Sequence, residues 1–342
     1  MARRERWHHD AGSRKSLVRR YLDLLYVTVR WGEVSSLYFA QRMDMRGRSI
    51  RKDYLAYERF RYLRGARNPR PLPSSPDQYA CLLQDKLLFE RFFAGGGFPV
   101  ARSIGTLDTG LRCDLGEWGR GDLWTMAAHG LPDMALFCKP RFGIKGRGVF
   151  RLRVEGGGVQ LNDRRVTRAE LEALVRRPYV CQTPVQQHEA LAQLHPQSLN
   201  TVRIITFREG DRIDVFPAYL RMGGNGEITD NSPIARAIVR IDDATGELET
   251  QGYWLQGADA APTTAHLTTR TVFGGLRIPH FPACRALATA AHQWLPGIDS
   301  VGWDVAVTPE GVVLLEGNED WGATTAMWVM PDFTSKFLKR VQ

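Results

Sequence analysis

The sequence predicts an α+β fold built on antiparallel sheet, preceded by a basic helical region. Three observations carry that expectation. From Phe98 onward, short β-like segments alternate with helical ones instead of keeping a strict strand–helix repeat. Residues 301–307 and 312–316 are apolar, strand-like runs around Thr308-Pro309-Glu310-Gly311, which is a hairpin and therefore antiparallel. Residues 68–76 read Asn-Pro-Arg-Pro-Leu-Pro-Ser-Ser-Pro, a stiff linker between the N-terminal region and the rest of the chain.

Before the linker, Leu17, Tyr21, Leu24, Leu25 and Thr28 recur at helical spacing, with Arg14, Lys15, Arg19 and Arg20 between them. A second helical stretch covers 37–63, with a break at Gly47. After the linker, residues 77–93 place Leu82, Leu83, Leu87 and Phe92 on one helical face, and Gly95-Gly96-Gly97 ends the helix. A strand is expected at 149–154 and a helix at 168–176. Strands are expected at 201–207 and 213–220, a helix at 285–294, and last the hairpin. The expected organisation is a basic helical N-terminal region with its linker (1–75), a first α+β part (76–135), a small subdomain (136–190) and a larger C-terminal subdomain (191–342).

The composition is that of a folded globular chain: 342 residues, 43% hydrophobic and 24% charged. The net charge of +9 is unevenly placed. Residues 1–70 hold 18 Lys and Arg against 7 Asp and Glu, a net of +11; the rest hold 28 against 30, a net of −2. A near-neutral body with one basic end argues against a specific nucleic-acid binder and leaves an anionic membrane surface as a partner for residues 1–70. The five cysteines (Cys81, Cys113, Cys138, Cys181, Cys284) form neither a CxxC nor a zinc pattern, and several sit in apolar runs, which fits reduced thiols in a cytoplasmic protein. No secretory leader or membrane span is expected; a location peripheral to the inner membrane face is compatible with the basic end.

Two stretches carry the chemistry. Residues 137–149 read Phe-Cys-Lys-Pro-Arg-Phe-Gly-Ile-Lys-Gly-Arg-Gly-Val. Gly143, Gly146 and Gly148 let backbone N–H groups approach an anion, and Lys139, Lys145 and Arg147 add charge. The stretch is neither a Walker loop nor a dinucleotide fingerprint. In the hairpin, a turn centred on Glu310 makes cross-strand partners sum to 620, so Asp304 faces Glu316 and Gly302 faces Asn318. Opposed carboxylates with Cβ atoms about 4.5–5.5 Å apart need a cation or a shared proton, and an added amide oxygen suits Mg²⁺ or Mn²⁺. Arg203 alternates with Val202 and Ile204 along its strand, and Arg221 closes the next strand; both suit phosphate or carboxylate recognition. His188, His195 and His280 are candidate acid–base groups, and Asp230-Asn231 reads as a turn.

In this order, a lysine-bearing strand, a Gly/Lys flap, a hinge strand and an Asp…Glu-x-Asn set, residues 76–325 resemble the ATP-grasp superfamily. The match is closest to the sugar-transfer-associated members of bacterial surface-polysaccharide gene clusters. Lys139-Pro140, Gly146-Arg147-Gly148, Gln187-His188, residues 198–203, Leu220-Arg221, Asp230-Asn231, Pro279-His280, Gly302-Trp303-Asp304 and Glu316-Gly317-Asn318 carry it. The resemblance implies an ATP-grasp fold, two α+β subdomains clasping ATP. It implies ATP and one or two Mg²⁺ ions as cofactors, and an ATP-dependent carboxylate–amine ligase working through an acyl phosphate on small-molecule carboxylate and amine substrates. Alternatives are a phosphotransferase on a hydroxyl acceptor, or a non-catalytic nucleotide-binding module with a basic membrane- or nucleic-acid-binding N-terminus. Carried over by residue, Lys139, Gly143, Lys145, Gly146, Arg147, Gly148, Cys181, Gln182, Val185 and His188 would bind ATP. Arg203, Arg221 and Lys145 would be catalytic; Asn200, Arg221, Asp230, Asn231 and His280 would bind substrate; Asp304, Glu316 and Asn318 would hold metal. Gln182 stands where many members place Glu, and Ser232-Pro233-Ile234-Ala235 lacks the paired glycines that come after Asp-Asn in the subfamily.

Overall fold

The computed structural model describes residues 13–33, 35–68, 79–143, 146–226, 228–230, 235–257 and 259–341. Residues 69–76 of the expected 68–76 linker, Lys145 and Asn231 lie outside the described residues.

Among the described residues the N-terminal region is helical, in four pieces: α1 (Leu17–Trp31), α2 (Ser35–Ala40), α3 (Ile50–Asp53) and α4 (Tyr57–Arg67). The helix expected over 37–63 is thus three short ones. Gly47 turns at φ 82°, and the buried Gln41 amide exchanges hydrogen bonds with the Leu55 backbone (2.8 and 2.9 Å), which satisfies the Leu55 N–H and C=O outside a continuous helix. In α1 the Ser16 hydroxyl caps the start and Gly32, at φ 66°, ends it. Most of the expected apolar stripe does not face the core: Asp23 and Val27 are buried and Leu24 packs beside them, while Leu17, Tyr21 and Leu25 are exposed.

The helix expected at 77–93 is two helices, α5 (Cys81–Gln84) and α6 (Lys86–Gly95). Asp85 sits between them in extended conformation, and its carboxylate accepts from the Leu87 and Leu88 N–H groups. An Asp offering this cap starts a new helix more readily than it continues an old one.

The first sheet holds β1 (Ser103–Asp108), β2 (Arg112–Asp114), β3 (Arg120–Asp122), β4 (Met134–Pro140), β5 (Phe150–Glu155), β6 (Gly158–Leu161), β7 (Arg164–Arg165) and β8 (Tyr179–Gln182), ordered 3-2-1-8-4-5-6-7. Helices α7 (Leu123–Ala128) and α8 (Arg168–Leu174) cover one face. Because β1 pairs directly with β8, residues on either side of position 136 form one sheet.

After α9 (Glu189–Ala192), the second sheet holds β9 (Thr201–Glu209), β10 (Arg212–Val215), β11 (Tyr219–Gly223), β12 (Arg236–Ile241), β13 (Leu248–Gln256), β14 (Asp259–Thr263), β15 (Ser300–Thr308) and β16 (Gly311–Asn318), ordered 14-13-12-11-9-15-16 with β10 beside β9. Every pairing of these strands is antiparallel. The strand expected at 213–220 is split at Phe216-Pro217-Ala218, where Pro217 has no N–H to give a ladder.

One face of this sheet packs on α10 (Phe281–Trp294) and α6 through Val202, Ile204, Leu220, Val301 and Trp303. The other packs through Ile205, Phe207 and Phe216 on the N-terminal helices and on α11 (Thr324–Val329) and α12 (Phe333–Val341). Phe60 of α4 lies 5.2 Å from the Trp321 ring and 5.0 Å from Phe337, centroid to centroid. The Asn68 amide spans the gap to Ser300 (2.6 and 2.8 Å). The basic N-terminal helices therefore share one hydrophobic core with the C-terminal sheet.

Candidate active site

The hairpin puts Asp304 opposite Glu316 and Gly302 opposite Asn318, the pairs that the sequence arithmetic predicts. It reaches them by a different route. The turn is tighter, with Thr308 opposite Gly311, and an irregularity between Asp304 and Val305 restores the expected register at the acids. On its other side β15 pairs with β9, and Asp304 faces Arg203. One cross-strand row thus reads Arg203–Asp304–Glu316.

The site grows from that row. Arg203 clamps Asp304 through two guanidinium nitrogens (Nε–Oδ1 2.6 Å, Nη2–Oδ2 3.1 Å). Arg221, on β11, reaches the same carboxylate (2.9 Å) and also Asp230 (2.9 and 3.1 Å). The Thr201 hydroxyl donates to Asp230 and accepts from Arg221. Burial opposes ionisation of Asp304, but Arg203 and Arg221 outweigh it and hold its carboxyl below the ordinary carboxylate range. Burial likewise opposes the charge of Arg221, and Asp230 and Asp304 more than reverse it.

Lys139 comes from the first sheet. Along β4, Phe137 and Lys139 share one face, while Cys138 points into the core beneath. Burial first, then the nearby Lys86 ammonium, lower the Lys139 pKa, with Glu316 pulling the other way. Lys139, Lys86, Thr201, Arg221, Asp304 and Glu316 line a cavity of about 100 Å³. A larger cavity, about 880 Å³, shares Lys86, Gly143, Arg147, Arg221 and Glu316 with it. Arg203, Arg236, Asn318 and, from α4, Tyr57 and Arg61 add to its lining.

The flap reaches across to the second sheet. Gly146 has φ 64°, and a Cβ there would lie 3.2 Å from the Thr229 hydroxyl. At Gly148, φ 75°, a Cβ would lie 2.6 Å from the Arg177 guanidinium. A side chain at either position would meet both backbone strain and a neighbour. The base of the flap is pinned by Arg141, which binds Asp85 through Nε and Nη2 (2.7–2.9 Å).

Several expected site residues stand elsewhere. The Cys181 thiol lies in the first sheet's core, 3.6 Å from the Cys138 sulfur. The Gln182 amide is turned to the Ala101 carbonyl (2.8 Å). Asn200 is buried and staples the preceding loop. Its amide donates to the Leu191 and His195 carbonyls (2.8 and 3.2 Å), and its backbone N–H donates to the Gln187 side chain (2.6 Å). His188 caps α9 through Nδ1, and its ring lies 6.2 Å from that of His280 at the start of α10. Val185, His188 and His280 line neither cavity. Of the five cysteines, all free, four are buried and Cys81 is exposed.

Lys86 is a site residue absent from the set that the sequence suggests. Its ammonium donates to the Gly143 carbonyl (2.9 Å) and lies 3.8 Å from Glu316. A signal for it exists in the chain: an N-cap Asp at 85 puts residue 86 at the first helical position, beside the flap that Asp85 anchors. Thr201 lies inside the 198–203 motif without being singled out in it; Arg236, Tyr57 and Arg61 have no sequence signal, since only the folding of distant segments brings them to the cavity.

Among the described residues, no group of three His, Cys, Asp or Glu side chains could hold a metal. The donor chemistry fits a hard divalent cation through Glu316, Asp304 and the Asn318 amide oxygen. Asp304 also carries the two guanidinium groups. Asn318 donates its Nδ2 to the Gly302 carbonyl (3.3 Å).

Residues 72–336 match the family model for sugar-transfer associated ATP-grasp proteins. No protein of curated function matches. Similar solved structures include the ADP complex of purK, an N5-carboxyaminoimidazole ribonucleotide synthetase (14% identity, 69% of this chain and 45% of that one, TM-score 0.39). Others are the VanG D-Ala:D-Ser ligase of Enterococcus faecalis (12%, 78% and 62%, 0.44) and the D-cycloserine synthetase DcsG (14%, 77% and 71%, 0.41). The chain spans less than half the length of the carboxyaminoimidazole ribonucleotide synthetases it matches. The match to the family model covers most of the sequence, and the chain belongs to the sugar-transfer associated ATP-grasp family.

Proposed function

We propose that this protein is an ATP- and Mg²⁺-dependent carboxylate–amine ligase, acting on an amino-acid or sugar-linked substrate in polysaccharide or natural-product biosynthesis. One observation carries the reading. A single cavity brings Lys86, Lys139 and a glycine flap from one side against Arg221, Asp304 and Glu316 from the other. That is a cradle for a polyphosphate with an acidic edge for its counter-ion.

In this reading Lys139 holds the α/β-phosphates, and Gly143, Lys145, Gly146, Arg147 and Gly148 close over the triphosphate. The 136–190 segment is the lid, and the backbone at Cys181 and Gln182 is the adenine hinge. Asp304, Glu316 and Asn318 hold one or two Mg²⁺ ions, or Mn²⁺; bound there, the cation neutralises charge on the transferring phosphoryl group. The larger cavity takes the carboxylate and the amine, with Arg203 and Arg221 in its wall, and Asp230 and Asn231 complete the substrate contacts.

The reaction has two steps. A substrate carboxylate oxygen attacks the γ-phosphorus of ATP, the bond to the β-phosphate oxygen breaks, and ADP leaves. The amine then attacks the acyl carbon, inorganic phosphate leaves, and the amine proton passes to solvent or to a basic group. A flap that excludes water protects the acyl phosphate between the steps.

The test is ATP·Mg²⁺ binding by calorimetry, followed by phosphate-release screening against amino acids and sugar acids with hydroxylamine present. The expected result is ATP binding that Lys139→Ala weakens at least about tenfold, and a hydroxamate from the true carboxylate. A phosphorylated acceptor without hydroxamate would replace the ligase by a kinase. Unchanged affinity in Lys139→Ala would remove Lys139 from the site.

A further inference from the structure

Helix α1 has two apolar sides. One, with Val27 buried and Leu24 and Trp31 packed beside it, belongs to the core shared with the second sheet. The other carries Leu17, Val18, Tyr21, Leu22, Leu25 and Val29, which are 49–79% exposed. At about 100° per residue these six lie on one arc, on the side away from Asp23 and Val27. The helix is anchored from beneath: Lys15 binds Asp23 (2.7 Å), Tyr38 donates to the same carboxylate (3.4 Å), and the Trp31 ring lies 5.2 Å from Tyr54. Its outward face is therefore held in position.

A contiguous apolar face of this kind is costly in water and marks a surface that meets something else. Its charge setting says what. Beyond Tyr26 at the edge of the apolar arc come Arg19 and Arg30, both exposed, with Arg19 paired to Asp23 (3.3 Å), and residues 1–70 carry a net +11 against −2 for the rest of the chain. Among the described residues no helix is long and apolar enough to cross a membrane. An amphipathic helix with apolar side chains outward and arginines along its flank has the form of one that lies in the headgroup layer of a bilayer. A second copy of the chain would set the same positive region against itself, whereas an anionic surface attracts it. We infer that α1 docks the protein on an anionic phospholipid bilayer, its outward face seated among the headgroups and its arginines on their phosphates.

The test is vesicle flotation of the full chain, with phosphatidylcholine vesicles and with vesicles containing about 30% phosphatidylglycerol. The protein is expected to float with the anionic vesicles, to stay behind with the neutral ones, and to be released as salt rises toward ~0.5 M. The double variant Leu25→Glu with Val29→Glu, checked by thermal melting, is expected to lose at least about tenfold in vesicle affinity. Should that variant not fold, Leu22→Gln at a single exposed position takes its place, with a smaller loss in the same direction. Three results would each overturn the inference: no flotation of the parent protein, equal flotation of parent and folded variant, or a concentration-dependent dimer by light scattering that the variant abolishes while vesicle binding is absent.

Discussion

The two sheets that frame the cavity are built to different standards. In the second, β15 is buried along its whole length and β9 over its first seven residues, because α10 covers one face and the N-terminal helices with α11 and α12 cover the other. In the first, β4 and β5 alternate between buried and accessible positions, and the buried side chains form one core under α7 and α8. A strand covered on both faces keeps its side chains in fixed places; a sheet covered on one face has less to lose by moving. The acids and arginines stand on the first kind of support, and Lys139 with its flap on the second. In the reaction proposed above, a rigid floor facing a sheet with less to lose by moving would admit ATP and then exclude water.

The largest expected effect tests the floor. Asp304→Asn leaves two buried guanidinium groups with one fewer acid, and should cost about 3–5 kcal/mol in denaturant unfolding. A loss below ~1 kcal/mol would mean that the ion-pair row is not structural. The second effect is a pH dependence on the same sheet. His292 is fully buried, with Nδ1 to Thr206 (2.7 Å) and Nε2 to the Ile298 carbonyl (2.9 Å), and burial lowers its pKa from 6.5 to about 4. Between those values the unfolded chain binds the extra proton and the folded one does not. Stability should therefore fall as pH drops through that window, by about 3 kcal/mol, and His292→Gln should flatten that slope. An equal slope in the variant would assign the acid sensitivity elsewhere.

The third sharpens the contrast directly. Native-state hydrogen exchange should open β5, β6 and β7 at a free energy about 2 kcal/mol or more below that of β9 and β15. Equal protection would make the two sheets one cooperative unit. The smallest effect separates the two paired acids. Glu316 keeps a third of its side chain exposed, and its contacts with Lys86 at 3.8 Å and the Asn318 amide at 3.5 Å are long, so Glu316→Gln should change stability by less than about 1 kcal/mol. If Glu316 holds the cation, ATP-dependent product formation should nevertheless be lost; wild-type turnover at saturating Mg²⁺ would remove it from the metal site.

The geometry of the candidate site was legible where it is local in sequence. Asp304 and Glu316 are joined by a hairpin, so counting from the turn pairs them even though the turn is one residue tighter than assumed. Gly146 and Gly148 have the positive φ that a glycine flap predicts. The histidines and Asn200 were not legible, because a polar side chain near a motif can as readily close a loop or cap a helix, as Asn200 and His188 do. Asp304 shows the limit from the other side. Its partner across the hairpin is written in the chain, but its strongest partners, Arg203 and Arg221, come from strands distant in sequence. They meet it only because β9 lies between β11 and β15 in the sheet.

By itself the sequence determined the element types, the acid pair on the hairpin, the glycine flap beside Lys139 and the family to which the chain belongs. These depend on backbone preference and on contacts between segments close in the chain. Only the tertiary structure decided that the N-terminal helices share the C-terminal sheet's core, that α4 lends Tyr57 and Arg61 to the larger cavity, and that most of the apolar stripe of α1 looks outward. Periodicity reports that a helix has an apolar face; which way it turns is settled by what else is available to bury, and in α1 the ion pairs of Asp23 and the packing of Val27 turn the other side inward.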